Sequence, residues 1–408
     1  MGTLHARLLT PLLAILVTAL SGAANAEERG VTATSIKIGN IGPFSGKAAL
    51  FNPLNYGSIA YMRYVNDMGG VWGRKFDIVL EDTACSEAKG IAAAKKMIFD
   101  EKVFMITVNP CSGVAMAIKP TLIKEEVLWS GVSANPKITG SPGSGGTEAP
   151  PKYMFHVTAN GYFSGQTMGK FLMSKPAAKK FAIVAHTNDW ARGYCDPAKE
   201  YIESHGGQVV LDTAMERGST DATAQVLQIK AQNVDGVLGC LYQQELVVLL
   251  KDAHKYKLGL PVIGALGADY GTTVEQVGNP EAVNGIFFQG HLFKDKLGSP
   301  ALEWARQILK KYLTKDELPS DGEPTHFYYF GFMNGLGVVE GFRRAGRDLT
   351  KDSYIKAVET LHDWDNNVGA GRVTITAEQH VGVSDMFFNG RDEKGNEVVY
   401  TAYGKPLH

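Results

Sequence analysis

The sequence of 408 residues has few cysteines, no marked excess of charge and no recognisable catalytic or metal-binding motif. Its 41 lysines and arginines nearly balance its 42 aspartates and glutamates, and no basic stripe indicates nucleic acid. The ten histidines are scattered without an H-E-x-x-H pattern, so no metal site is predicted. Gly161–Gly165 has its serine one place away from that of a nucleophile elbow, and Pro142–Gly146 lacks the Lys-Ser/Thr pair of a phosphate loop. We therefore expect no enzyme, no cofactor and no nucleic-acid partner.

The four cysteines are Cys85, Cys111, Cys195 and Cys240. None lies in a C-x-x-C or other zinc-type spacing, and this cysteine usage fits an oxidising compartment. Three pairings into two disulfides are possible, and the order of the cysteines in the sequence does not choose between them.

Residues 1–26 have the features of a signal peptide. Arg7 precedes the apolar run Leu8–Leu20, and Ala23–Ala26 resembles an A-x-A cleavage site, which predicts cleavage after Ala26. The run is shorter than the roughly 20 residues that span a bilayer, and no later segment is apolar enough to do so. A buried N-terminal helix is the alternative. We expect a soluble periplasmic protein without a lipid anchor, because no cysteine follows the apolar run.

Short β-branched runs alternate with longer helical patterns along the chain. The predicted strands are Ile36–Ile41, Phe76–Glu81, Val103–Val108, Val127–Gly131, Phe181–Ala185, Val209–Leu211, Val237–Cys240 and Val262–Gly264. The predicted helices are Tyr56–Met68, Glu87–Phe99, Ala115–Lys124, Ala198–His205, Ala222–Ala231 and Glu245–Tyr256. Such alternation is typical of parallel sheets that are covered by helices on both faces. It occurs twice, on either side of the Gly/Pro/Ser-rich loop 138–151.

The chain changes character after Gly285. A strand at Ile286–Gln289 is followed by helices at Ala301–Tyr312, Phe327–Arg344 and Lys351–Leu361, and by a β-like tail at Arg372–Ile375 and Met386–Asn389. The length exceeds what one core usually organises. We expect an α/β fold of two doubly wound parallel-sheet lobes joined by a multi-strand hinge. The expected boundaries are 27–157 for the first part of lobe 1, 158–285 for lobe 2, 286–370 for the second part of lobe 1, and 371–408 for a segment returning to lobe 2 and the hinge.

A site between the lobes is expected because ligands of open parallel sheets lie beyond the carboxyl ends of the strands. Ser112 and Gly113 follow the strand Val103–Val108 and should begin the helix that continues through Ala115–Lys124. A helix N-terminus offers unpaired N–H groups and positive partial charge, which suit a carboxylate. The alternative is that Ser112 only caps this helix.

Four stretches of the sequence form a recognisable set: Ile36–Gly46, Asn66–Lys75, Glu81–Cys85 and Cys111–Gly113. Together they resemble the periplasmic branched-chain amino acid binding proteins, which have the type I periplasmic binding fold. The resemblance implies a monomeric receptor that captures a small molecule by lobe closure and delivers it to the membrane permease of an ABC importer. An exported enzyme or a soluble sensor domain on the same fold is an alternative.

The resemblance also implies further ligand-binding residues. Ser133 and Ala134 match a turn that binds the ligand's carboxylate and amino group, although Ala134 replaces an expected hydroxyl side chain. The matching aromatic positions are Phe51 in the first lobe and Trp190 and Tyr242 in the second, with Tyr162 or Phe163 as a further candidate. An ordinary turn and ordinary core packing are the respective alternatives.

The sequence departs from the family at Leu266. Amino-acid-binding members carry an acidic residue near this position, where it pairs with the ligand's ammonium group, and Asp269 could substitute only if the loop register differs. A buried ammonium group without a carboxylate is costly. We therefore expect a carboxylate ligand without an amino group, an aromatic or keto acid, with an amino acid as the alternative.

The family resemblance implies a disulfide between Cys85 and Cys111, which follow strands whose ends we expect to be neighbours. It would hold the loop that carries Ser112. A second bridge between Cys195 and Cys240 would brace the loops of Trp190 and Tyr242. Free buried thiols are the alternative for this second pair.

Overall fold

The computed structural model describes residues 28–268, 270–283, 285–290, 300–369, 371–382, 387–391 and 396–406. The strands are β1 Ser35–Gly42, β2 Lys75–Asp82, β3 Met105–Val108, β4 Leu128–Gly131, β5 Met154–Phe155, β6 Lys180–Ala185, β7 Gln208–Ala214, β8 Gly236–Cys240, β9 Val262–Gly264, β10 Ile286–Gly290, β11 Phe387–Arg391, β12 Glu397–Ala402 and β13 Lys405–Pro406. The helices are α1 Asn52–Asp67, α2 Glu87–Lys95, α3 Ser112–Lys124, α4 Gly161–Met173, α5 Asp189–Ser204, α6 Thr223–Ala231, α7 Gln243–Lys255, α8 Tyr270–Val277, α9 Ala301–Tyr312, α10 His326–Ala345 and α11 Lys351–Val358. The expected signal peptide lies outside the described residues.

The first lobe is built on a parallel sheet with the strand order β2-β1-β3-β4-β5. Side chains alternate between its two faces, as the period of a β-strand requires. Met105 and Leu128 pack in the core beneath α1 and α10, whereas their neighbours Ile106 and Trp129 pack in the core beneath α2 and α3. Burial on both faces explains why these strands are continuously apolar.

The second lobe contains the sheet order β13-β12-β11-β10-β9-β8-β6-β7. The strands from β7 to β10 are parallel, and β11 to β13 add an antiparallel edge. Because β10 pairs with β9, residues 286–290 belong to this sheet. The boundary that began the second part of lobe 1 at residue 286 is therefore wrong, since the parallel sheet continues for one more strand.

The chain passes between the two sheets after β5, after β10 and between α11 and β11. Two of these passages lie side by side, because His156 forms a parallel bridge with Val381. His156 N–H donates to the carbonyl of His380, and Gly382 N–H donates to the carbonyl of His156, both at 2.8 Å. Paired extended segments of this kind form the hinge that the fold class predicts. The α/β fold of two parallel-sheet lobes is confirmed.

Two local predictions are wrong. Helix α5 begins at Asp189 instead of Ala198, because Asn188 caps it through Ala191 N–H and the helix accommodates Pro197 in its interior. Residues 372–375 form only an isolated bridge from Val373 to Trp364. Met386 lies outside the described residues, and β11 follows it. No helix in the described part of the chain is long and apolar enough to cross a membrane.

Candidate functional site

The start of helix α3 lies at the carboxyl end of the first sheet, and Ser112 is buried there. Ser112 is the first helical residue, and the preceding Cys111 makes no side-chain capping bond. The Ser112 hydroxyl oxygen instead accepts the backbone N–H groups of Ala134 and Asn135, at 3.1 and 3.2 Å. Ser112 is therefore not the N-cap of its own helix, and its hydroxyl proton remains to be donated. The helix end and this proton suit an anion.

The neighbouring turn at Ser133 is held from behind. The Ser133 hydroxyl donates to the carbonyl of Asn109 at 2.5 Å, so its proton is used within the lobe. Nε2–H of His156 donates to the Ser133 carbonyl at 2.8 Å, and Thr139 bonds the other ring nitrogen. Complete burial lowers the pKa of His156 to about 4, which keeps the ring neutral. The backbone at Ser133 and Ala134 is thereby fixed beside Ser112.

Three predicted aromatic residues meet across the cleft. Phe51 of the first lobe lies with its ring centroid 5.2 Å from that of Tyr242 and 6.5 Å from that of Trp190. The rings of Trp190 and Tyr242 lie 4.5 Å apart, and all three residues are buried. Aromatic side chains offer large rigid surfaces with little entropy to lose, which suits an apolar ligand group. We call Phe51, Trp190 and Tyr242 the cleft aromatics.

Leu266 extends the apolar surface of the second lobe. It is buried in the same core as the cleft aromatics. The adjacent Gly267 contacts the Trp190 ring so closely that a Cβ atom there would lie 2.4 Å from it. The loop at this position therefore presents an apolar side chain and bare backbone beside Trp190. Asp269, the alternative acidic residue, lies outside the described residues.

Tyr242 is held from the back of the second lobe by polar groups. Asn188 donates its side-chain amide to the Tyr242 hydroxyl at 3.0 Å. His186 donates from Nδ1 to the carbonyl of Met215 and accepts the backbone N–H of Tyr242 at Nε2. Burial lowers the pKa of His186 and raises the pKa of Tyr242. The buried carboxylate of Glu245, 3.5 Å from His186, accepts Gly218 N–H and so is already engaged.

Both predicted disulfides are present. Cys85 and Cys111 have Cα atoms 5.5 Å apart, and Cys195 and Cys240 have theirs 6.2 Å apart. The first pair does not follow neighbouring strands, however, because β1 lies between β2 and β3. The turn after β2 reaches over the end of β1 to the start of α3. The second bridge joins helix α5 to the last residue of β8, instead of joining two loops.

Three further candidates, Tyr162, Phe163 and Gly113, are not among the cleft aromatics. Tyr162 packs against Gly145 in loop 138–151, and its ring pairs with that of Phe163 at 5.6 Å. No contact between them and the cleft aromatics is seen among the described residues. At Gly113 an added Cβ atom would lie 3.0 Å from Oε1 of Glu87, so glycine keeps the start of α3 uncrowded.

The sequence matches the family described as periplasmic binding protein over residues 35–396. The chain belongs to this family. A Pseudomonas aeruginosa relative, the leucine-, isoleucine-, valine-, threonine- and alanine-binding protein, is 26% identical over 239 residues. This match covers 58% of this chain and 62% of that relative. A second match, to an amino acid binding protein of the same organism, covers 66% of that protein. The matched region thus spans less than two-thirds of these relatives.

Solved structures of other binding proteins share the fold of this periplasmic binding protein. A branched-chain amino acid ABC transporter protein from Thermus thermophilus with bound valine superposes with a TM-score of 0.78 at 17% identity, covering 92% of this chain and 96% of its own. An R. palustris solute-binding protein in complex with 4-hydroxybenzoate has a TM-score of 0.71 at 21% identity, covering 89% and 95%. The family resemblance and the fold class are confirmed.

The geometry of this binding protein adds residues that the sequence analysis did not single out. Phe327, in the first turn of α10, lies 5.4 Å from Phe51 between ring centroids. His156, His186 and Glu245 hold site residues from behind. The run of aromatic residues at the start of α10 could have indicated from the sequence that Phe327 is a site residue. Nothing in the sequence indicates the roles of His156 and His186, because their hydrogen-bond partners are distant in the sequence. Within the described residues, no group of His, Cys, Asp or Glu side chains could hold a metal ion.

Proposed function

We propose that this protein is the periplasmic receptor of an ABC importer and captures a small carboxylate-bearing ligand between its lobes. An aromatic or keto acid is favoured over an amino acid. Two observations carry the proposal: the start of α3 is uncapped and the Ser112 hydroxyl keeps a proton to donate, and Phe51, Trp190 and Tyr242 form an apolar cluster across the cleft. An anionic end and an apolar body are the two features that this arrangement complements.

The lack of an acid at Leu266 supports a ligand without an ammonium group. An ammonium group placed beside Leu266 would lose its hydration, and the leucine side chain itself offers no carboxylate partner. The buried acid nearby, Glu245, already accepts Gly218 N–H and lies next to His186, behind Tyr242. A keto or aryl group is uncharged and needs no carboxylate partner in the second lobe.

Lobe closure provides the mechanism of capture. In the proposed mechanism the ligand's carboxylate binds first to the first lobe, at Ser112. Phe51 then meets Trp190 and Tyr242 only when the lobes approach one another. The ligand favours the closed form because it gains the second set of contacts there, and this differential affinity drives closure. The membrane permease is expected to recognise the closed monomer.

An amino acid is the second candidate ligand. The P. aeruginosa relative is named for five amino acids, and the T. thermophilus protein contains valine. One contact in this chain favours it: Oδ1 of Asp189 accepts the side-chain amide of Asn135 at 3.3 Å, close to the Ser112 site. Asp189 could receive an ammonium group from this position. The R. palustris protein, bound to 4-hydroxybenzoate, provides the precedent for an aryl acid on this fold.

Matched ligand pairs separate the two classes. Thermal shift and calorimetry would compare leucine with its 2-keto acid, phenylalanine with phenylpyruvate, and 4-hydroxybenzoate with its amide. A ligand that binds the native state raises the melting temperature once its concentration exceeds Kd. We expect the keto or aryl acids to stabilise the protein and 4-hydroxybenzamide to have no effect. Stabilisation by the amino acids alone would overturn the ligand preference, and recovery of unchanged ligand would distinguish a receptor from an enzyme.

A further inference from the structure

Arg217 lies in the loop between β7 and α6 and contacts both lobes. Its Nη2 donates to the backbone carbonyl of Lys47, in the loop between β1 and α1 of the first lobe, at 3.0 Å. Its guanidinium carbon lies 4.9 Å from the ring centroid of Tyr242, one of the cleft aromatics. Arg217 and Lys47 are both exposed, so this contact is on the outer rim of the cleft.

Another polar contact between the lobes is placed differently. Asn135 donates to Asp189 beside the passage from β5 to α4, where Gly161 N–H also donates to the carbonyl of Ala134 at 2.7 Å. Backbones approach so closely there that a Cβ atom at Gly193 would lie 3.0 Å from the Asn135 Cα. Residues next to a hinge separate little when lobes rotate. Residues on the rim separate most, so opening breaks the Arg217 contact.

A guanidinium is suited to this double role. It stays charged at any physiological pH, and its planar fork can stack on an aromatic face while its N–H groups donate in the plane. The same side chain therefore holds Tyr242 in place and joins the second lobe to the first. Breaking the bond to Lys47 returns the guanidinium to water, so only a modest preference for the closed form is expected.

We propose that Arg217 is a positioning residue for lobe closure, favouring the closed form through the Lys47 carbonyl and Tyr242 without contacting the ligand. It would set the fraction of empty receptor molecules that are closed. A smaller closed fraction raises the apparent Kd, because more of the ligand's binding free energy is then used to close the lobes. The inference rests on the two-lobed fold and not on the ligand class proposed above. It can therefore fail while the proposed ligand class stands.

The test measures the distance between the lobes in the full chain without added ligand. Spin labels on K89C in α2 and A224C in α6 report it, because both positions are exposed and lie on opposite lobes. The four native cysteines are paired in disulfides and do not take up the label. Double electron–electron resonance would give the distance distribution in the reporter background, in R217A and in R192A.

Arg192 is the matched control, because its ion pairs to Asp196 and Asp212 stay within the second lobe. We expect R217A to lower the ratio of short to long distances by roughly two- to tenfold, with R192A like the parent. Three results would overturn the proposal: an unchanged ratio in R217A, an equal fall in R192A, or a parent without a short-distance population. Equal melting temperatures of the three proteins would exclude a folding defect as the cause.

Discussion

The hydroxyl oxygen of Ser112 accepts the backbone N–H of Ala134 at 3.1 Å, which joins the start of α3 to the turn after β4. This bond uses a lone pair of the hydroxyl and leaves its proton to point elsewhere. The start of α3 and the turn after β4, which both resemble ligand-binding segments of the family, are thus already held together without a ligand. Preorganisation of this kind lowers the entropy that a ligand must lose on binding.

Replacing Ser112 with alanine should weaken binding of a carboxylate ligand by about 1–3 kcal/mol, because one donor is lost and two backbone N–H groups lose their acceptor. Calorimetry with the acid identified in the ligand screen would measure it. The matched control is S86A, which removes the N-cap of the neighbouring helix α2 and should change stability but not affinity. An S112A protein with the affinity of the parent would remove Ser112 from the site.

Replacing Trp190 with alanine should weaken binding by about 2 kcal/mol or more, since a buried aromatic wall of the cleft is lost. The loss should appear mainly as faster dissociation, because contacts from the second lobe form after first capture. Stopped-flow dissociation of bound ligand would measure it. W72A removes a half-exposed tryptophan of the first lobe and serves as the control. Equal dissociation rates in W190A and W72A would contradict the closure mechanism.

The sequence predicted most strands of both sheets and most helices, because continuous apolar runs and amphipathic patterns are local properties, but it did not predict the strands β5, β12 and β13. It missed the start of α5, since Pro197 normally marks a helix boundary and here lies inside the helix. It placed the end of the second lobe one strand early at β10. Nothing local in residues 286–290 indicates which sheet they join.

The site could be predicted only in part for a similar reason. Ser112 and the cleft aromatics were available from the resemblance and from their places near strand ends. The contacts of Arg217 with Lys47, and of His156 with Ser133, join residues far apart in the sequence. Such pairs depend on how the lobes face each other and on the loops between elements. The Cys85–Cys111 pairing was right although its premise of neighbouring strands was wrong.

Introducing a carboxylate at Leu266 should change which ligand class binds. L266E places a negative charge beside Trp190, where it would repel the electron-rich end of a keto acid and attract an ammonium group. We expect the affinity ratio of leucine to its 2-keto acid to rise at least about tenfold, which corresponds to about 1.4 kcal/mol. Competition calorimetry would give the ratio. L266Q, similar in shape but uncharged, should leave the ratio nearly unchanged, and an equal shift in both variants would refute the electrostatic explanation.

The free energy of unfolding should fall in acid because of His156. Burial lowers its pKa in the folded chain to about 4, whereas an unfolded histidine titrates near 6.5. As the pH falls below about 6.5 the unfolded state takes up a proton that the folded state refuses, so stability decreases until about pH 4 and then levels off. The two pKa values imply a loss of about 3 kcal/mol.

Urea unfolding between about pH 4 and pH 7.5 would measure this slope in the parent and in His156→Gln. Glutamine retains an N–H donor for the Ser133 carbonyl but does not titrate in this range. The buried residues His186 and His380, whose pKa values are also lowered, are present in both proteins, so the difference between the two curves isolates His156. H156Q should be less stable than the parent at pH 7 and should lose less stability in acid. Parallel curves would show that another group causes the acid sensitivity and that the Ser133 turn does not depend on a neutral imidazole.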